Sequence, residues 1–425
     1  MDVSNYRVSL NYMKILRLFF KSLDLWPSGI QYNEPQQRHL FRKMLLTETI
    51  LVFIAQCYYL LKNFRYLSFF IKGDVFISLF LSFMCTVSLQ MFYNTILMNL
   101  MFIPCHKRYI TLISKFVQEF HLIHFVNKTG HITTVCKLSL FISITSYFPR
   151  FHLLILFNMT PLYNNFKTGV LTGSALPNTT KQFSVYLQFP GFDQRDHFIF
   201  ATCFNFWLSY VCTICVCIND LFLILIIFQI IGHIEILKYN IEHFPEPTIK
   251  HEIEIEGNTV HVALFNAEEN KLIHSKIMEC VNHHRLIVSF TNDVSSFFGP
   301  LLGLTYLYHL VSCCLLLLEC SKGEPAALAR YGPLTVIIFG ELIQISVIFE
   351  VVGTKSEMIK NAVYSMPWEC MDVSNQRCVN ILLNRVQKSI HVTAMGITTV
   401  GVRTMLKILK TTISYFAFLR TIDYD

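Results

Sequence analysis

Few side chains in this sequence stand where they could do chemistry. Glu341 and Gln344 lie one turn apart within an apolar run, Asn219 and Asp220 lie within another, and Asp293 lies near the end of a third. Charged groups are costly in hydrocarbon and turn toward a bundle interior. Each of these therefore lines an ion path or ties helices together. Arg150 follows Pro149 near the end of a further apolar run. It either snorkels to lipid headgroups or serves as counter-ion to an acidic ligand. His243, His251, His261, His274, His283 and His284 concentrate in one stretch without the fixed spacing of a metal site. No metal and no cofactor is expected. The 14 cysteines, among them Cys203, Cys212, Cys215 and Cys217 on one run, read as small apolar packing residues. Segment 158–197 contains none, so no outer disulfide framework can be built there. GxSxG and GxxxxGK[ST] are absent, and an enzyme is not expected.

The elements that carry these residues follow from composition. Apolar residues make up 53% of the 425 and charged residues 15%, against roughly 25% charged in a soluble domain. A soluble globule with 38 Phe and 19 Tyr would expose patches it could not hide. Seven runs are long enough to cross a bilayer, which takes about 20 helical residues. They are 44–62, 70–101, 132–157, 198–231, 285–319, 331–352 and 390–419. The runs are continuous, not alternating, which favours helices over a barrel. The expected fold is an all-α polytopic bundle of seven transmembrane helices, one unit over 1–425. Several runs exceed one bilayer thickness, so those helices tilt or continue into a cytoplasmic layer.

Lys and Arg set the expected orientation. With the N-terminus inside, segments 1–43, 102–132, 232–285 and 353–391 hold 21 of them and the opposite segments hold 9. The positive-inside rule then puts the N-terminus in the cytoplasm and the C-terminus outside. No cleavable signal is visible in the first forty residues, so the first helix is its own insertion signal. The net charge of +7 gathers into no nucleic-acid patch. Sequons at Asn158 and Asn178 fall on the outer side and are the candidate glycosylation sites, whereas the one at Asn127 faces the cytoplasm. In 232–285, prolines disfavour helix at 244–247, and the alternation around Glu252, Glu254 and Glu256 reads as a short strand or a loop. In 353–391, apolar residues recur at helical spacing on both sides of Pro367. This predicts two amphipathic helices beneath the membrane.

The last seventy residues add a resemblance. NAVYSMPWEC (361–370) is followed by NILLNRVQKSIHVTAMG (380–396) and ILKTTISYFAFLR (408–420). The order of Tyr364 and Trp368, then Arg385 and Gln387, then Lys410 with Ser414-Tyr415-Phe416, resembles the C-terminal signature of insect odorant receptors. The resemblance implies the odorant-binding subunit of a ligand-gated, non-selective cation channel in the plasma membrane of olfactory neuron dendrites. It also implies a tetramer with a co-receptor subunit and a small, neutral, volatile odorant as ligand. A gustatory-type receptor is the nearer alternative, but its closing Thr-Tyr and Gln are Ser414 and Thr421 here. A G-protein-coupled receptor would reverse the orientation, and Asp-Arg-Tyr and Asn-Pro-x-x-Tyr are missing at the places it would need them. A transporter would show matched broken helices, and Gly299-Pro300 has no counterpart.

The resemblance further implies an apolar odorant pocket in the outer half of the bundle. The residues at that depth are Phe80, Phe83 and Met84 on the second run and Tyr147, Phe148 and Phe151 on the third. Phe204 and Trp207 stand on the fourth, and Tyr331 and Leu334 begin the sixth. The end of the seventh helix would line the pore. Phe418 and Ile422, three and seven residues after Tyr415, form the apolar gate, with polar Thr421 beside them. Arg403, Lys407 and Lys410 recur on the inward part of that helix, where the vestibule is wide or lipid phosphates are near.

Overall fold

Without water to satisfy a backbone, a chain in hydrocarbon closes its hydrogen bonds within helices, and long helices dominate this protein. The computed structural model describes residues 106–122, 158–171, 173–174, 181–184, 195–247, 250–255, 258–321 and 325–424, with isolated positions elsewhere. The expected span 70–101, and nearly all of 44–62 and 132–157, lie outside the described residues.

Helix α1 (His106–Lys115) closes in a π-helical turn, Phe116–Phe120. A further helical run covers residues 158–167. Helices α2 (Phe198–Glu242), α3 (Ala267–Ser321) and α4 (Pro325–Tyr364) hold 45, 55 and 40 residues. At 1.5 Å per residue, α3 is about 80 Å long, well beyond a hydrocarbon core of about 30 Å. A two-stranded antiparallel hairpin, β1 (Lys250–Ile255) and β2 (Asn258–Ala263), joins α2 to α3. After α4 come a 3-10 turn (Trp368–Cys370), α5 (Val373–Val386), a second small hairpin of β3 (Thr393–Ala394) and β4 (Thr398–Thr399), and α6 (Val402–Tyr424). Among the described residues, three helices, lying within 220–242, 267–318 and 332–370, are long and apolar enough to cross a membrane.

Three elements differ from the sequence reading. Most of 232–285 is helix, because α2 runs on to Glu242 and α3 starts at Ala267. The start of α3 has a local cause. Asn266 Oδ1 accepts from the Glu269 N–H at 2.8 Å, and Glu269 Oε2 accepts from the Asn266 N–H at 2.9 Å, a reciprocal capping box. The first of the two amphipathic helices placed beneath the membrane is the unbroken end of α4. The second is α5, capped by Asp372, whose carboxylate accepts from the Asn375 N–H. Finally, the first twelve residues of run 390–419 form no helix; they are the β3–β4 hairpin and its flanks.

The core gathers toward one end of the bundle. Phe116 and Phe120 of α1 enter the groove between α2 and α3 and meet Phe222 and Phe290. Phe120 stacks on Phe290 with ring centroids 3.8 Å apart. Several polar groups there are partnered. His233 Nε2 donates to the Phe120 carbonyl at 2.6 Å, so His233 Nδ1 accepts from His283 Nε2 at 2.9 Å. The Leu122 N–H donates to Gln229 Oε1, which satisfies a backbone group where α1 has ended. Asp293 pairs with Lys115, and Lys355 of α4 pairs with Glu235 of α2 at 2.6 Å. At the start of α3, Asn375 donates its Nδ2 to the Asn270 carbonyl and accepts at Oδ1 from His274 Nδ1, which docks α5. His243, His274 and His283 of that stretch thus serve separate contacts. Replacing the fully buried Phe290 with Ala should cost about 3–5 kcal/mol, seen as a lower melting temperature of the detergent-solubilised protein; an unchanged melt would mean this spine does not hold the core.

Candidate ligand site and pore helix

Helix α6 packs on α3 and α4 with one face only. Met405 and Thr412 are buried, while Arg403, Leu406, Lys407, Lys410, Ile413 and Phe418 are exposed at helical spacing. Phe418 is 59% exposed, unusual for so large an apolar side chain. Thr421 and Ile422 stand on the same helix near its end. Along the exposed face the character changes from cationic at the start to apolar toward the end.

At the opposite end of the bundle α2 begins and α3 passes into α4. A small cluster of Tyr308, Cys313, Leu316 and Ile338 lies between α3 and α4, with Leu334 against it. His309 is buried one residue from Tyr308, and its Nδ1 donates to the Thr305 carbonyl at 2.7 Å. Its Nε2 faces Glu341 Oε2 at 4.0 Å. The two side chains form an ion pair across α3 and α4 only when His309 is protonated. Tyr331 stands on the first turns of α4.

On α2, Phe204 stacks on Phe200 one turn away, centroids 6.2 Å apart, and Trp207 is 46% exposed. A short outlying segment closes over the start of this helix. Phe183 meets Phe198 at 5.3 Å, and Lys181 Nζ donates to the Arg195 carbonyl. Asn165 holds that segment to the run 158–167 by donating to the Gln182 carbonyl and accepting from its N–H. Asn158 stands on the same run with only 2% of its surface exposed, so a glycan there would require that turn to open. Phe80, Phe83, Met84, Tyr147, Phe148, Phe151, Arg150 and Asn178 lie outside the described residues. The structure thus brings Leu334 into a cluster with Tyr308 and Cys313, and leaves Phe204 and Trp207 on a neighbouring helix. Sequence reasoning passed over His309. An ionisable side chain in the middle of an apolar run was the signal that marks it.

These features have a parent in known proteins. The family model described as 7tm odorant receptor matches residues 89–413, about three quarters of the chain. The chain belongs to the odorant receptor family. The C-terminal resemblance is thereby borne out, and the family is one of receptors, not enzymes. Odorant receptor 13a of Drosophila melanogaster is 25% identical over 166 residues, which span 35% of this chain and 39% of that relative. The solved insect olfactory receptor OR5 from Machilis hrabei has the same fold, with a TM-score of 0.71 at 13% identity over 96% of this chain and 99% of that one. The same receptor solved in complex with eugenol matches equally well, at 0.71 over 98% of its length. With its long apolar helices, this odorant receptor is a multi-pass membrane protein.

The His309–Glu341 contact can be tested by a double-mutant cycle. His309→Leu and Glu341→Leu should each lower the melting temperature, and the pair should be non-additive by about 1 kcal/mol. Strict additivity would show that the two side chains do not interact.

Proposed function

We propose that this odorant receptor is the ligand-binding subunit of an odorant-gated, non-selective cation channel. It has seven transmembrane helices, a cytoplasmic N-terminus and an extracellular C-terminus, and it works in a tetramer with a co-receptor subunit. Its place is the plasma membrane of olfactory neuron dendrites. The single observation that carries the reading is the exposed face of α6. A lipid-facing helix would be apolar along its length, and a water-facing one polar. This face starts with Arg403, Lys407 and Lys410 and passes to Ile413 and Phe418. Such a gradient suits an aqueous vestibule that narrows to an apolar constriction, which closes by dewetting. Phe418 and Ile422 form the constriction, and Thr421 touches the ion path when it opens.

The odorant is a small, neutral volatile. It lies at the end of the bundle where α3 passes into α4, against Tyr331, Leu334, Phe204 and Trp207, together with Phe80, Phe83, Met84, Tyr147, Phe148 and Phe151. The eugenol held by the Machilis receptor is a molecule of this size and kind. Asn178 is the glycosylated sequon.

Currents recorded from cells expressing this chain alone and with the co-receptor, against an odorant panel, test the proposal. Odorant-evoked cation current is expected with the co-receptor; its absence at normal surface level would remove the channel reading. Shrinking Phe418 or Ile422 to Ala should raise ligand-free leak or alter ion permeation. Thr421→Lys should depress inward cation current, because a fixed positive charge repels cations strongly in a narrow, low-dielectric pore. If all three conduct like the parent, α6 does not line the pore. Trp207→Ala should reorder odorant potencies while leaving surface expression intact. Identical dose–response curves for every odorant would take Trp207 out of the pocket.

A further inference from the structure

The segment between α5 and α6 makes its connections in an unusual way. Four backbone N–H groups within it or at its end bond outward to α3 and α4. Ile390 donates to Ser356 Oγ at 2.9 Å, and that hydroxyl donates in turn to the Gly353 carbonyl. Thr393 donates to Ser295 Oγ at 3.3 Å, and Met395 donates to the Gly299 carbonyl at 3.0 Å. Val402, the first residue of α6, donates to Glu350 Oε2 at 2.9 Å. Two of these partners are on α3 and two on α4, so the hairpin is bonded to both helices at once.

The fit leaves little slack. A side-chain carbon added at Gly299 would lie 2.9 Å from the Thr393 carbonyl oxygen and 3.3 Å from the Met395 nitrogen, both backbone atoms that cannot turn aside. One added at Gly353 would strike the His391 ring, and one at Gly401 the Glu350 carboxylate. At the tip, Met395 and Gly396 both have positive φ, 53° and 69°, and the Ile397 N–H closes the turn on the Ala394 carbonyl. Glycine takes that conformation freely, whereas methionine is strained in it. The strained methionine has its side chain laid along Gly303 of α3. Strain held in place by its surroundings tends to mark a working part.

We infer that the hairpin 390–401 is the coupler that transmits the relative position of α3 and α4 to α6, and that Glu350 is the positioning residue that fixes where α6 begins. The inference rests on the channel reading above. At one end, α3 and α4 carry His309, Leu334 and Glu341; further along the same helices they hold the hairpin by backbone bonds. A shift of α3 against α4 must strain the hairpin or move it, and α6 starts from its last residue. The carboxylate of Glu350 suits a helix N-terminus, where unpaired N–H groups carry positive partial charge. The first turn of α6 has no acidic residue of its own.

The test uses the full chain co-expressed with its co-receptor, with surface labelling, ligand-free current, half-maximal odorant concentration and odorant rank order measured together. Glu350→Ala should raise the half-maximal concentration about tenfold, within the usual range of coupling between sites, with rank order unchanged. Glu350→Gln keeps an oxygen that accepts from Val402 and should stay within about threefold of the parent. Gly299→Ala, which meets backbone, should shift ligand-free current or half-maximal concentration far more than Gly303→Ala, which meets only the end of the Met395 side chain. Met395→Gly relieves strain and so guards against misfolding; it should weaken coupling while reaching the surface normally. A changed rank order would place these residues at the pocket and overturn the inference. So would parental values for Met395→Gly and Glu350→Ala at normal surface level, while the parent still gates. A parent that gives no odorant-evoked current overturns the channel reading itself, and the coupler with it.

Discussion

The structure depends on one constraint: every backbone N–H and C=O that leaves water must find a partner within the protein. Helices of 45, 55 and 40 residues are the simplest answer, since only their ends are unsatisfied. Each end then needs a local solution. Asn266 and Glu269 cap α3, Asp372 caps α5, and Gln229 and His233 receive the chain where α1 stops. The hardest case is residues 390–401, where the chain is extended between packed helices. Ser295, Gly299, Glu350 and Ser356 supply the partners there.

The main core cluster among the described residues lies where the same helices converge. They extend past any bilayer, and the aromatic spine of Phe116, Phe120, Phe222, Phe290 and Phe298 fills the region where α1, α2 and α3 converge. There the hydrophobic effect operates on contacts removed from water. Toward the α3–α4 turn a smaller cluster forms around Tyr308 and Ile338.

Composition alone made the membrane class legible, because 53% apolar residues leave no soluble alternative. The family was legible from a few residues near the C-terminus, Tyr364, Trp368, Lys410 and Ser414-Tyr415-Phe416, which the family match over 89–413 bears out. The start of the last helix was not legible. Val392, Thr393, Thr398 and Val400 are apolar or β-branched, and a hydropathy count cannot see that Ser295, Gly299 and Glu350 on other helices hold the segment at Thr393, Met395 and Val402. The same blindness hid the continuation of α4 to Tyr364, since an amphipathic stretch reads alike whether it follows a break or a straight helix. For the candidate site, Leu334 found its cluster, but His309 was missed. Its partner Glu341 drew attention as a charge, whereas a lone histidine among apolar residues did not.

The cap of α6 shows why the source of a partner matters as much as its chemistry. Asp372 caps α5 from the residue just before it, and that bond persists wherever the helix goes. Glu350 caps α6 from α4, so the bond exists only while two helices keep one relation. A local Ser or Asp would satisfy the Val402 N–H equally well and would carry no information about α4. The cap is therefore conditional, and so is the packing around it, since Gly401 has room for no side chain beside that carboxylate. Tyr306 of α3 lies against Ser346, one turn before Glu350, which brings α3 to the same junction. Two long helices thus meet where α6 begins, and its start is determined by their arrangement more than by its own first residues.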